Sequence, residues 1–248
     1  MFFWKKPSKK IVRWFTTHVG LPEMYPPAPL SKHTPEWWKK TPAYSPTSKN
    51  KGVWVPQKLQ KTVKHCYAVQ KLWENSFALP LWWDMFVGVN SKGEIGAKVP
   101  ANQTPGENHP VEQYPGMVSS GWVNWKVKSP WVVYTEEYLP FYISNPFYHI
   151  QDHNWQTMPG QIEFFHQHHS NVNMIFKKPS SSAGLEYEFR AGDIIAYLTP
   201  MFEGDVEFIC ETIDQKELDR LEFGQKMWFN PATFARRNDI GGCPFHRG

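Results

Sequence analysis

Apolar residues recur along this chain with two different periods, and the change between them marks out its elements. Over residues 62–75, Val63, Cys66, Tyr67, Gln70 and Trp73 follow three- and four-residue steps while Lys61, Lys64 and Lys71 fall on the other face. That spacing predicts an amphipathic helix with Thr62 as its N-cap. The helix is expected to stop before Pro80, after which Leu81-Trp-Trp-Asp-Met-Phe-Val-Gly-Val89 reads as a buried strand ending in a turn at Asn90–Gly93. Residues 97–120, rich in Gly, Pro, Asn and Gln, read as loop.

Beyond residue 120 the period is two. Short runs at Trp122–Val127, Trp131–Thr135, Phe141–Ser144, Gln161–His166, Val172–Phe176, Leu185–Phe189, Ile194–Leu198 and Asp205–Glu211 are each bounded by turn residues. Closely spaced strands with no helical run between them predict a sandwich or barrel rather than a parallel sheet with crossover helices. Trp122, Trp125, Trp131, Phe164, Phe176, Ile194 and Tyr197 are the expected β core. Thr212-Ile-Asp-Gln215 fits a capping box opening a last helix over 213–227, whose apolar stripe is Ile213, Leu218, Leu221 and Met227. No internal repeat is present.

The region before residue 61 has neither period. It holds nine of the 22 prolines, in stretches such as Pro26-Pro27-Ala-Pro29, and proline removes backbone donors from helices and ladders alike. An extended arm over 1–60 follows, ahead of a β domain at 61–229 and a C-terminal coil at 230–248. The arm also carries Trp4, Trp14, Trp37, Trp38 and Trp54, which a free linker has no reason to expose. It is therefore expected to lie against a surface, either its own body or another subunit, with Trp37, Trp38 and Trp54 as anchors. Charge divides at the same place. Residues 1–60 hold eleven Lys/Arg against two Asp/Glu, and the remainder holds sixteen against twenty-one, within a net charge of +4.

A chain of 248 residues with 13 Trp, 17 Phe and 10 Tyr can fill one large core. Its three cysteines, Cys66, Cys210 and Cys243, are odd in number and lack zinc-ribbon spacing, which points to a reducing, cytoplasmic setting. No apolar run approaches the length that spans a bilayer, and Met1-Phe-Phe-Trp-Lys-Lys6 places its charges after its apolar residues, unlike a secretion signal. Chain start at or just after Met1, and no membrane partner, are the expectations.

Four stretches occur in a suggestive order: Phe77-Ala-Leu-Pro-Leu-Trp-Trp-Asp84, Ser129-Pro-Trp-Val-Val-Tyr-Thr135, Met158-Pro-Gly-Gln-Ile162 and Arg190-Ala-Gly-Asp-Ile-Ile-Ala-Tyr-Leu-Thr-Pro200. Together, over roughly residues 60–200, they resemble an uncharacterised family of tailed-phage proteins from marine and cyanobacterial phages. The resemblance implies a mainly β, jelly-roll or cupin-like double-stranded β-helix with a few flanking helices. It also implies a phage or bacterial origin, and hence the host cytoplasm or a virion, but no activity. The chain departs from the family after Ile162, where Glu163-Phe-Phe-His-Gln-His-His169 replaces an acidic turn.

Chemistry is most concentrated in the histidines. His149, His153, His166, His168 and His169 lie within twenty-one residues, and neutral imidazole is the commonest ligand for iron, copper, nickel or zinc. On a strand, His166 and His168 share a face, with His149 or His153 joining from a neighbour and Asp152 or Glu163 supplying an oxygen. The other reading is a polar loop, since Gln167, Ser170, Asn171 and Asn173 surround these histidines. Asp84 reads as a strand-end acceptor, Cys66 as packed core, and Arg190–Asp193 as a turn before a late strand. Walker A, GxGxxG, GxSxG and HExxH patterns are absent, so no nucleotide cofactor is expected. The arm's lysines and aromatics suit an acidic protein surface or nucleic acid, and the small net charge favours protein.

Two functions stay open. One is a histidine-lined metal site at His149, His153, His166 and His168, serving an oxidoreductase or a binding module. The other is a structural virion or assembly protein whose arm packs on neighbouring subunits.

Overall fold

The computed structural model describes residues 9–46, 59–101, 103, 105–109, 121–150, 154–165, 169–180 and 183–228. They form a mainly β molecule with several antiparallel sheets. The period-two runs fold as their pattern dictates. β9 (Trp122–Val127) and β15 (Leu185–Phe189) have the expected bounds, and β10 (Val132–Tyr134), β11 (Pro140–Ser144), β13 (Gly160–Glu163), β14 (Val172–Lys177), β16 (Ile194–Pro200) and β17 (Val206–Thr212) differ from expectation by one to three residues at an end. In β9 the inward residues Val123, Trp125 and Val127 are buried, while Trp122 is only half-buried.

The expected single strand over 81–89 is two strands with a corner between them. β5 (Phe77–Pro80) pairs with β16, and β6 (Met85–Val89) pairs with β15, both antiparallel. The chain turns at Leu81–Asp84, opposite a second turn at Arg190–Asp193. The two turns are bonded together: Leu81 N–H donates to the Asp193 carbonyl and Gly192 N–H to the Leu81 carbonyl, both at 2.7 Å. Asp84 accepts from the Ala191 N–H at 2.9 Å and pairs with Arg190, and Asp193 accepts from the Arg190 N–H at 2.7 Å. Gly192 adopts φ 94°, and a Cβ there would stand 3.2 Å from the Tyr25 ring. Asp84 is thus a strand-end acceptor as the sequence suggests.

One five-stranded sheet runs β13-β11-β16-β5-β2, where β2 is Ala28–Pro29, and a four-stranded sheet runs β12-β14-β9-β8, where β12 is Trp155–Thr157 and β8 is Glu107–Asn108. β15, β6 and β7 (Ile95–Lys98) make a third sheet, and β3 (Tyr44–Pro46) and β4 (Leu59–Lys61) a hairpin-like pair. Side chains alternate on β5: Phe77 and Leu79 enter the main core, and Ala78 enters a second, smaller core with Leu30, Val69, Trp73, Ile194 and Tyr197. Ile194 and Tyr197, expected in the β core, belong to this second cluster.

The helices begin later than the sequence suggests. Thr62 does cap, accepting from Lys64 N–H, but it caps a 3-10 turn (Val63–His65), and Cys66 is extended at φ −76°, ψ 109°. α3 (Tyr67–Asn75) therefore starts a new register and buries Val69 and Trp73, leaving Cys66, Tyr67 and Gln70 exposed. Cys66 is not core. The last helix, Gln215–Trp228 (α4 below), is capped by Asp214, whose carboxylate accepts from Glu217 N–H at 2.8 Å, because Thr212 is still the end of β17.

The N-terminal region departs most from an appended arm. β1 (Lys10–Thr16) is the middle strand of a sheet ordered β10-β1-β17, antiparallel to β10 and parallel to β17. Val12, Trp14 and Thr16 are fully buried, and Leu30 and Leu21 are buried beyond it. Residues 9–46 are woven into the body rather than laid along it. The expected anchor Trp54 lies outside the described residues, as do Trp4 and the coil at 230–248.

Candidate functional site

His149 sits in a loop after β11, between the second core and the N-terminal segment. Its Nε2 is 2.6 Å from the His33 carbonyl and its Nδ1 is 2.6 Å from the Tyr197 hydroxyl. A carbonyl only accepts, so Nε2 carries the proton and the neutral ring's Nδ1 accepts from Tyr197 O–H. Burial lowers the His149 pKa from its ordinary value, with the His33 hydrogen bond opposing it, and burial raises that of Tyr197. His33 is also lowered, by burial first and then by the nearby His149 and Lys32. In this arrangement both nitrogens of His149 are engaged by the protein itself, and neither is left for a metal ion.

Around it, aromatic rings close a cluster. Trp38 lies 5.2 Å from Trp73, Trp37 lies 6.1 Å from Tyr148, and Trp73 contacts both Tyr148 at 6.1 Å and His149 at 5.7 Å. Trp37 Nε1–H also donates to the Tyr148 carbonyl at 2.9 Å. The short helix α2 (Glu36–Lys40) that carries Trp37 and Trp38 is thereby held on the outer side of the five-stranded sheet, next to α3. Trp38 packs on the chain's own body at the second core, while Trp37 touches Tyr148 but stays 44% exposed.

Of the other three expected ligands, His153, His166 and His168 lie outside the described residues. Strand β13 ends at Glu163, short of the expected His166. His169 forms an isolated bridge with Val132. Its neighbours Ser170 and Asn171 bind Ser129, by hydroxyl to hydroxyl at 2.7 Å and by side-chain oxygen from the Ser129 N–H at 2.8 Å. Ser129 Oγ in turn accepts from the Trp131 N–H at 3.1 Å, fixing the turn that delivers the fully buried Trp131 to the core. Among the described residues no group of three or more His, Cys, Asp or Glu could hold a metal ion.

The space enclosed by the sheets is packed with apolar side chains. Trp125 and Met174 lie opposite one another in register, as do Val123 and Phe176, and Phe176 and Trp155. Phe189 closes on Trp155 at 5.1 Å and Phe176 at 6.1 Å, edge to face. The fully buried Trp14 stands against Trp131, Phe164 and Phe208 at 6.2, 5.4 and 5.2 Å. Buried polar residues among the described ones are Thr16, Ser76, Asn124, Thr135, Thr157 and Ser170, with no Asp, Glu, His, Lys or Arg.

Charge gathers instead where β1 meets its neighbours. Lys9 pairs with Glu207 at 2.8 Å, Lys10 with Glu137, and Arg13 with Glu211 at 3.2 Å. A shallow groove beside these pairs is lined by Ile11 and Tyr134 together with Glu136 and Leu139. The basic arm and mildly acidic body read from the sequence meet at this seam. Sequence reasoning missed it because proline content dominated the view of residues 1–60 and because the polar residues of Lys-Ile-Val-Arg-Trp-Phe-Thr recur every third position, so that the period of two shows only in which side chains are buried. Cys210 on β17 lies beside it, and burial pushes its thiol up to about 12, which makes it inert packing rather than a nucleophile.

No family model matches the chain, and comparison with curated proteins and with solved structures finds no match either. No helix among the described residues is long and apolar enough to cross a membrane.

Proposed function

We propose that the protein is a jelly-roll structural subunit of a larger assembly, working through its outer faces rather than through a ligand held between its sheets. The observation that carries this reading is the packed interior: Trp125, Met174, Phe176, Trp155 and Phe189 are buried together in one apolar core. Ligand sites are concave and carry convergent polar groups. The order of strand pairing supports the jelly-roll part. Take β5–β6 as one bent strand and β15–β16 as another. The first then pairs with the second, the second with β11, and β11 with β13, while β9 pairs with β14 and β14 with β12. Those are the neighbours a two-sheet Greek-key roll needs, with one of its eight strands lacking a counterpart among the described residues. The resemblance to tailed-phage proteins makes a virion the expected assembly.

The test is light scattering on untagged protein, with metal analysis of the same sample. A defined oligomer holding far less than one metal per chain is expected. A monomer at every concentration that carries a stoichiometric transition metal would overturn the reading in favour of a histidine-ligated centre.

A further inference from the structure

The strand β1 occupies a slot that the rest of the molecule leaves open. β10 and β17 do not pair with each other, and each pairs with β1 instead. Without β1 the slot would present two unpaired strand edges and the apolar faces of Trp131, Phe164 and Phe208, a combination that invites aggregation. Some strand must therefore always fill it.

Fit is specified in two ways. The inward row Val12, Trp14 and Thr16 is fully buried. Basic residues at the start of the strand and on its outer face meet an acidic rim, Lys9 against Glu207, Lys10 against Glu137 and Arg13 against Glu211, with Ile11 and Phe15 flanking Arg13 on that face. Slot and strand are thus complementary in shape, in alternation and in sign of charge, and every copy of the chain carries both halves.

The connection that ties β1 to the copy that bears it is four residues long, with Thr17, His18 and Gly20 half-buried and the His18 ring 6.1 Å from that of Trp83. The connection Thr17–Gly20 leads into a helix of one turn, α1 (Leu21–Met24); Val19 is 88% exposed, and Gly20 turns the chain at φ 84°. We propose that β1 is an exchangeable strand, so that in the assembly residues 10–16 of one copy fill the β10–β17 slot of a second copy. This rests on the assembly reading above. Exchange preserves every strand contact and alters only the connection, so its net cost is small and is offset by concentration, the usual ground for swapping of identical elements.

The test uses the full-length chain with Cys66→Ser, Cys210→Ala and Cys243→Ser, and with Arg13→Cys and Tyr134→Cys, which face each other across the β1–β10 pair. The assembled fraction is isolated by size, oxidised and run without reductant. Covalently linked dimers or longer chains are the expected product. Only intrachain disulfides in an assembled fraction would overturn exchange while leaving the assembly reading intact. The absence of any assembled fraction would remove both.

A second measurement needs no substitutions. Chains of natural and heavy-isotope composition are mixed, allowed to reassemble and treated with a carbodiimide, which joins Lys10 to Glu137. Mixed-isotope crosslinked peptides are expected, and crosslinks of uniform isotope alone would overturn the proposal.

Discussion

His149 accepts from Tyr197 at one nitrogen and donates to the His33 carbonyl at the other, and burial holds its pKa below the ordinary histidine value. Above about pH 6.5 the ring is neutral in folded and unfolded chains alike, and it contributes no pH dependence. As pH falls below that value the unfolded chain takes up the proton first, so stability declines until the lowered folded pKa is reached. His33 acts with the same sign. Thermal unfolding measured from pH 7 to 5 should show a falling midpoint, and His149→Gln should flatten that fall; an unchanged slope would remove His149 as its cause. Tyr197→Phe, which takes away one hydrogen bond but keeps the ring, should cost about 1 kcal/mol in denaturant unfolding. Core residues carry more: Trp131 is fully buried, and Trp131→Ala should cost roughly 3–5 kcal/mol by the same measurement. An unaltered transition would mean that its turn, held by Ser129, refills the site.

Elements were legible wherever one period ran without interruption. β9 and β15 could be bounded because each alternates in sequence between turn residues, although only β15 has a wet face, the second row of β9 being covered at Asn124. Corners were not legible. Leu81–Asp84 is as apolar as the strands on either side, and what bends it there is hydrogen bonding to Arg190–Asp193, residues more than a hundred positions away. The α3 stripe failed for a local reason, since one extended residue at Cys66 resets the helical phase. β12, three residues long beside a histidine-rich stretch, gives too short a pattern to stand out. In the candidate site the partners of His149 come from His33 and Tyr197, which no spacing rule connects. The helix caps offer a direct check at this scale: Asp214→Ala should destabilise α4 by about 1 kcal/mol, and Thr212→Ala should not affect its cap. Equal effects on helical circular dichroism would return the cap to Thr212.

At the scale of the whole molecule, the division of charge read from the sequence becomes a seam between β1 and an acidic rim. Exposed ion pairs contribute only about 0–1 kcal/mol each, so salt should weaken this seam slightly while the buried row of β1 holds it. Replacing Lys9, Lys10 and Arg13 together by Ser should therefore lower the melting midpoint far less than Trp14→Ala, which should cost roughly 3–5 kcal/mol. If the charge variant proves the more damaged of the two, the seam is electrostatic and the packing of Trp14 is incidental. The second core works in the same sense. It fastens residues 28–40 over the outer side of the five-stranded sheet, so that a segment composed like a linker serves as a cover.

The parallel pairing of β1 with β17 also sets an order in time. Lys10 cannot meet Val206 until the residues between them have been made, roughly 10–40 s later at about 5–20 residues per second. Throughout that interval a strand built to be buried has no seat in its own chain. Each newly finished slot is filled by whichever first strand reaches it soonest, and on a crowded message several waiting strands from neighbouring chains lie within reach.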